Sequence, residues 1–98
     1  MEKETIYVYL IRDGKVVQDI CECEVRGKYT YRMTDRKRHA QIIDVVQLDK
    51  CERNRVVSFE DNLPKFRQML IEDYERKVED ATKKLKQQVD ILNSIKRN

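Results

Sequence analysis

Residues 62–98 contain no glycine, and their one proline, Pro64, stands at the very start. Within them apolar side chains recur at Leu63, Phe66, Leu70, Tyr74, Val78, Ala81, Leu85, Val89 and Leu92, in steps of three or four. That spacing follows the helical period and not the alternation of a strand, so it predicts one long amphipathic helix. Leu70, Ala81 and Leu92 repeat at eleven residues. A period of about 3.67 residues per turn holds a stripe on one side of a nearly straight helix, unlike the heptad of a left-handed zipper. Asn62 is the expected N-cap, because it places Pro64 in the first turn, where a missing N–H costs nothing. Ser58 with Asp61 imitates a capping box. A helix starting there would carry Pro64 in its interior at a cost of about 3 kcal/mol.

Such a helix runs roughly 55 Å at about 1.5 Å per residue, whereas a seven-residue strand covers about 23 Å. The first turns can lie on the domain formed by the preceding residues; residues 81–95 need another helix or must fray. A homo-oligomer is therefore expected, with Leu70, Tyr74, Val78, Ala81, Leu85, Val89 and Leu92 along the interface. The alternative is a solvated helix whose stripe packs only on its own core. Charge favours assembly: acids crowd the first half, Glu72, Asp73, Glu75, Glu79 and Asp80 among them, and Lys83, Lys84, Lys86, Lys96 and Arg97 face only Asp90 in the second. Acid early and base late suits the helix dipole, and two antiparallel copies would pair opposite charges.

Ahead of the helix, residues 4–11 read as a strand with Ile6, Val8 and Leu10 on one face and Tyr7, Tyr9 and Ile11 on the other. Two apolar faces place it at the centre of a sheet. Asp13-Gly14 tolerates the positive φ angles of a tight hairpin turn. In the return strand, residues 16–25, Cys21, Cys23 and Val25 alternate with Glu22, Glu24 and Arg26, while Val16 and Val17 break the phase, which a bulge would absorb. Tyr29, Tyr31 and Met33 alternate with Thr30, Arg32 and Thr34 in a third strand, residues 39–48 are β-branched enough for a fourth, residues 49–54 form a polar turn, and residues 55–59 form a short fifth strand. The expected class is α+β: a five-stranded antiparallel meander, open or rolled into a small barrel, over residues 1–59, and the long oligomerising helix over 60–98, as one structural unit.

At 98 residues the chain is one domain, and its charged fraction of 40% lies well above the usual quarter. A net charge of +3 is too small to argue nucleic-acid binding from the total. Three cysteines, an odd number, with no long apolar run and no leader pattern, point to a reduced, cytoplasmic setting and to no membrane span or membrane partner.

The densest chemical feature is residues 26–39, where Arg26, Lys28, Arg32, Arg36, Lys37 and Arg38 face the single acid Asp35, with Tyr29, Tyr31 and His39 interleaved. Arginine forks match phosphate oxygens and an aromatic ring can stack a base. Arg26, Tyr31, Arg32, Arg36, Arg38 and His39 are accordingly the candidate ligand-binding residues, for a phosphate-bearing small molecule. The competing reading is a basic hairpin tip kept in solvent, with its tyrosines in the core. Cys21 and Cys23 on one strand face, with Cys51 and His39, lack the turn geometry of a structural zinc site, so no metal and no cofactor is expected. Nothing orients Cys51 and His39 as a nucleophilic pair, and no catalytic residue is assigned.

Taken together, the hairpin at Asp13-Gly14, the Tyr-Arg third strand, the basic loop Arg36-Lys37-Arg38, the hydrophobic fourth strand, Ser58-Phe59-Glu60-Asp61 and the charged C-terminal helix resemble small bacteriophage proteins. In layout across the chain they resemble the oligomeric anti-Thoeris sponge family, which joins an antiparallel sheet to long C-terminal helices. That resemblance implies a non-enzymatic anti-defence protein that sequesters a cyclic nucleotide signal at subunit interfaces through arginines and aromatics. Two other readings stand beside it: an inhibitor or scaffold of the anti-CRISPR type docking on a host protein, and a small nucleic-acid-binding protein.

Overall fold

The computed structural model describes residues 3–25, 30–33 and 42–97. Strand β1 (Lys3–Arg12) and strand β2 (Lys15–Val25) form a hairpin, β3 (Thr30–Met33) and β4 (Ile42–Asp44) continue it, a 3-10 turn (Val45–Gln47) follows, and β5 (Cys51–Glu52) and β6 (Arg55–Ser58) lead to helix α1 (Leu63–Arg97). The strand order is β4-β3-β2-β1-β6-β5. The meander thus holds for the first four strands, and the last pair returns to the free side of β1, which makes β1 central as its two apolar faces require. Asp13 and Gly14 both take positive φ, 54° and 75°, the pair of angles a two-residue hairpin turn needs.

The pairing of β1 with β2 is unbroken from Arg12↔Lys15 to Lys3↔Glu24. No bulge forms at Val16-Val17. The two valines instead face opposite sides, Val17 beside Leu10 and Val16 beside Ile11, because this sheet has a core on each face. The fourth strand is shorter than the sequence predicts: after Asp44 the chain turns into the 3-10 segment, where the Asp44 N–H donates to Gln47 Oε1 at 3.0 Å and the Asp44 side chain caps the turn in return. Residues 49–54, expected as a polar turn, hold the two-residue strand β5 paired with β6.

One core gathers Ile6, Val8, Cys21, Cys23, Ile43 and Val57, with Leu10, Leu48 and Phe59 packed against it. In a flat sheet β4 and β6 would stand four strand spacings apart, about 19 Å. Ile42 and Ile43 of β4 nevertheless line one cleft with Arg55 and Val57 of β6, so the sheet curls on itself as a partly rolled barrel. The other face carries Tyr9 and Val56 under Phe66 and Leu70 of the helix.

Tyr9 fixes where the helix begins. Its ring, fully buried, stacks on Phe66 with centroids 4.5 Å apart. Its hydroxyl donates to the Glu60 carbonyl at 2.6 Å and accepts from the Asn62 backbone N–H at 2.9 Å and from Gln18 Nε2 at 3.0 Å. Asn62 Oδ1 in turn accepts the Lys65 N–H at 3.2 Å, so Asn62 is the N-cap. Asn62→Ala is expected to lower unfolding free energy by about 1 kcal/mol, read as a lower urea midpoint at unchanged slope; an unaltered midpoint would show that the Tyr9 hydroxyl alone secures this end.

The helix leaves the domain after about four turns. Asp73, 8% exposed, pairs with Arg76 at 2.6 Å and Lys77 at 2.9 Å, and Lys77 Nζ donates to Asn54 Oδ1 at 2.6 Å. Every described residue from Glu75 onward is exposed. The radius of gyration, 18.9 Å, and the long axis of 69 Å reflect that projection, since a compact chain of this length has a radius near 13 Å.

Candidate functional site

Arg26, Arg36, Arg38 and His39 lie outside the described residues, and Tyr31 and Arg32 are described by backbone alone. The register puts Tyr31 in the row of Val25 and Ile43, and Arg32 in the row of Glu24 and Ile42. Two other features of the described residues carry chemistry: a basic cleft on the rolled sheet and the uncovered face of α1.

The cleft lies between β4 and the β5–β6 hairpin, has a volume of about 240 Å³, and is lined by Ile42, Ile43, Gln47, Lys50, Arg53 and Arg55, with Glu52 as its one acid. Rolling of the sheet creates it, because it joins strands from opposite ends of the strand order. Arg53 and Asn54 form the hairpin turn with φ of 53° and 63°. Asparagine accepts that conformation, whereas an arginine is held there at a cost of about 1–2 kcal/mol. Arg55 is half-buried, and burial first, then the like charge of Arg53, pulls its guanidinium below the ordinary value. A guanidinium stays charged under such a pull. The sequence reading missed Lys50, Arg53 and Arg55. The one signal available was the Arg53-Asn54 pair at a turn, which sets Arg53 and Arg55 on the same tip.

The cysteines divide between the two faces. Cys21 and Cys23 belong to the core inside the roll, Cys51 packs under the helix, and one ion could not reach all three. Burial pushes the thiols of Cys23 and Cys51 up, with Glu4 and Asp73 respectively adding to it. Both therefore stay protonated at neutral pH, the wrong form for a nucleophile.

On α1, Leu70 leaves the expected interface set: it is fully buried with Tyr9, Val56 and Phe66 of its own chain. Tyr74 is half-buried under Lys77 Nζ, 4.9 Å from its ring centroid. Val78, Leu85, Val89 and Leu92 are 64%, 61%, 45% and 50% exposed, and Ala81 is exposed as well. The acids of the helix are not in its first turn, which has none, while Lys96 and Arg97 do occupy its last turn. The dipole thus accounts for the basic end only, and the acidic block Glu72–Asp80 lies mid-helix.

Fold and site together define an α+β chain, an antiparallel sheet carrying a basic cleft and followed by one helix longer than the domain that seats it. Comparison with protein-family models, with characterised proteins and with solved structures returned no match. Among the described residues no helix is long and apolar enough to cross a membrane.

Proposed function

We propose that this is a non-enzymatic, homo-oligomeric binding protein of phage anti-defence type, acting in the host cytoplasm by sequestering a phosphate-bearing ligand such as a cyclic nucleotide signal. The observation that carries the reading is the apolar stripe of α1, with Val78, Leu85, Val89 and Leu92 in solvent on a helix that has already left its own sheet. Scattered exposed apolar residues are ordinary, but a contiguous row on a projecting element marks an interaction surface. A second copy is the partner, because the stripe is flanked by an acidic and then a basic segment that complement each other.

The ligand side rests on cationic groups: the run Arg26–His39 in sequence, and Lys50, Arg53 and Arg55 in the cleft. Arginines in a partly desolvated setting bind phosphate oxygens more strongly than exposed lysines do. The test is native mass spectrometry of the protein purified from host cells. A defined oligomer retaining a mass of several hundred daltons per site supports sequestration; an empty oligomer rejects the ligand, and an empty monomer rejects both parts, pointing instead to a host protein as the occupant of the stripe.

Charge reversal sharpens this. Arg36→Glu with Arg38→Glu, and separately Arg53→Glu, are each expected to lose the retained ligand at least tenfold while the oligomer persists. Full retention by both variants would remove the phosphate assignment.

A further inference from the structure

At about 100° per residue, the face of α1 that meets the sheet, Phe66, Leu70 and Asp73, and the exposed stripe, Val78, Leu85 and Leu92, point about 90° apart. The stripe is therefore not an extension of the docking face. Traced back toward the N-terminus, its line passes through Tyr74, Ile71, Arg67 and Leu63. Those four residues form one wall of a groove of about 510 Å³, whose other wall is Ile11 and Val16 of the β1–β2 hairpin. Groove and stripe are one continuous apolar track, half lined by sheet and half bare.

We infer that this track is an antiparallel seat for a second copy of the chain, in which the distal half of each α1 lies in the other's groove between the hairpin and the helix. This rests on the oligomeric reading above and specifies its geometry. Charge sets the direction. Residues 72–80 carry five acids against Arg76 and Lys77, and residues 83–97 carry five bases against Asp90 alone. Side by side in parallel, acid would meet acid and base would meet base. In antiparallel order each acidic block faces a basic one, and like charges across an interface are what exclude the wrong arrangement.

Shape agrees with charge. A parallel partner would bring the second domain against the first and leave both bare ends uncovered on one side. An antiparallel partner covers bare helix with groove twice, by one two-fold operation that uses the same surface on both copies. Ala81, the small residue of the stripe, lies near the midpoint, where the two backbones cross closest. Beside Lys15 and Arg67 the groove is lined by Ile11, Val16, Leu63, Leu70, Ile71 and Tyr74, so Leu85, Val89 and Leu92 of the second copy have apolar walls to meet.

The experiment combines assembly, orientation and contact. Sedimentation of the full chain gives the assembly. A spin label at Asn93→Cys in a Cys51→Ser background, where Cys21 and Cys23 are buried, gives the orientation. With the helices overlapped along Leu63–Arg97, so that the centre falls near Ala81, the two labels sit about 40 Å apart in the antiparallel pair and within about 15–20 Å in a parallel one. Ile11→Glu, which changes a 40% exposed groove residue, gives the contact and is expected to weaken association at least tenfold with the monomer still folded by circular dichroism. A long distance with a weakened Ile11→Glu dimer is the expected result. A short distance in a stable oligomer overturns the antiparallel seat and leaves the oligomeric reading standing. An unaffected Ile11→Glu dimer overturns the groove, and a monomeric parent chain overturns both readings.

Discussion

Leu85→Ser/Val89→Ser/Leu92→Ser is expected to convert the assembled protein to a monomer, with the sheet unchanged and helicity lost from the distal turns. The three side chains, Leu85, Val89 and Leu92, are 61%, 45% and 50% exposed in the single chain, so serine there removes little that holds one subunit together. In an assembly each is buried, and each leucine or valine returned to water costs about 1.5–3 kcal/mol. Three positions on two copies far exceed the 1.4 kcal/mol that a tenfold change in dissociation constant represents. Helicity falls as well, because an isolated helix of this length draws most of its stability from packing of its apolar side. Sedimentation equilibrium measures the first effect and far-ultraviolet circular dichroism the second. An undiminished oligomer would place the interface elsewhere, on the sheet edge.

Phe66→Ala acts on the opposite half of the same helix. Phe66 is fully buried, stacks on Tyr9 and shares its core with Val56 and Leu70. Its truncation is expected to lower unfolding free energy by about 3–5 kcal/mol, a large part of the 5–15 kcal/mol typical of a domain. The melting temperature should fall by about 15 °C or more. The cost is large because Tyr9 cannot relax into the space: its hydroxyl is held by Glu60, Asn62 and Gln18 at once. Calorimetry on a monomeric background separates this effect from assembly. A drop under 1 kcal/mol would mean that the helix is anchored by its polar contacts, Asp73 with its two cations and Lys77 with Asn54, more than by its core.

These two substitutions divide the helix into a part that holds the fold and a part that faces outward, and the sequence does not draw that line. Its apolar period runs through Leu70, Tyr74 and Val78 without a break, which is why Leu70 reads as an interface residue although it packs within its own chain. Helical periodicity registers only that a side is apolar. Whether sheet or solvent covers that side depends on where the sheet ends, near the tip of the β5–β6 hairpin at Asn54. The buried Asp73 is hidden for the same reason: an acid in a charged helix reads as solvated until Arg76 and Lys77 are seen closing over it.

The basic cleft was less legible still. Lys50, Arg53 and Arg55 are unremarkable in a chain that is 40% charged, and they converge because the sheet rolls until β4 approaches the β5–β6 hairpin. That approach joins residues distant in strand order and leaves no local signature. By contrast, the Asp13-Gly14 turn, the two-faced β1 and the Asn62 cap were all readable, since each depends on a few neighbouring residues.

The helix, its start and the hairpin at the centre of the sheet are consequences of short-range preference: periodic apolar side chains, an asparagine that can cap, two residues that accept positive φ. The return of β6 to β1, the curl of the sheet, the cleft and the quarter-turn between the two sides of α1 come from long-range packing. They arise because one strand with two apolar faces needs a cover on each, and a chain of this size can provide the second only by rolling its sheet on one side and seating a few turns of helix on the other, with the rest of that helix left in solvent.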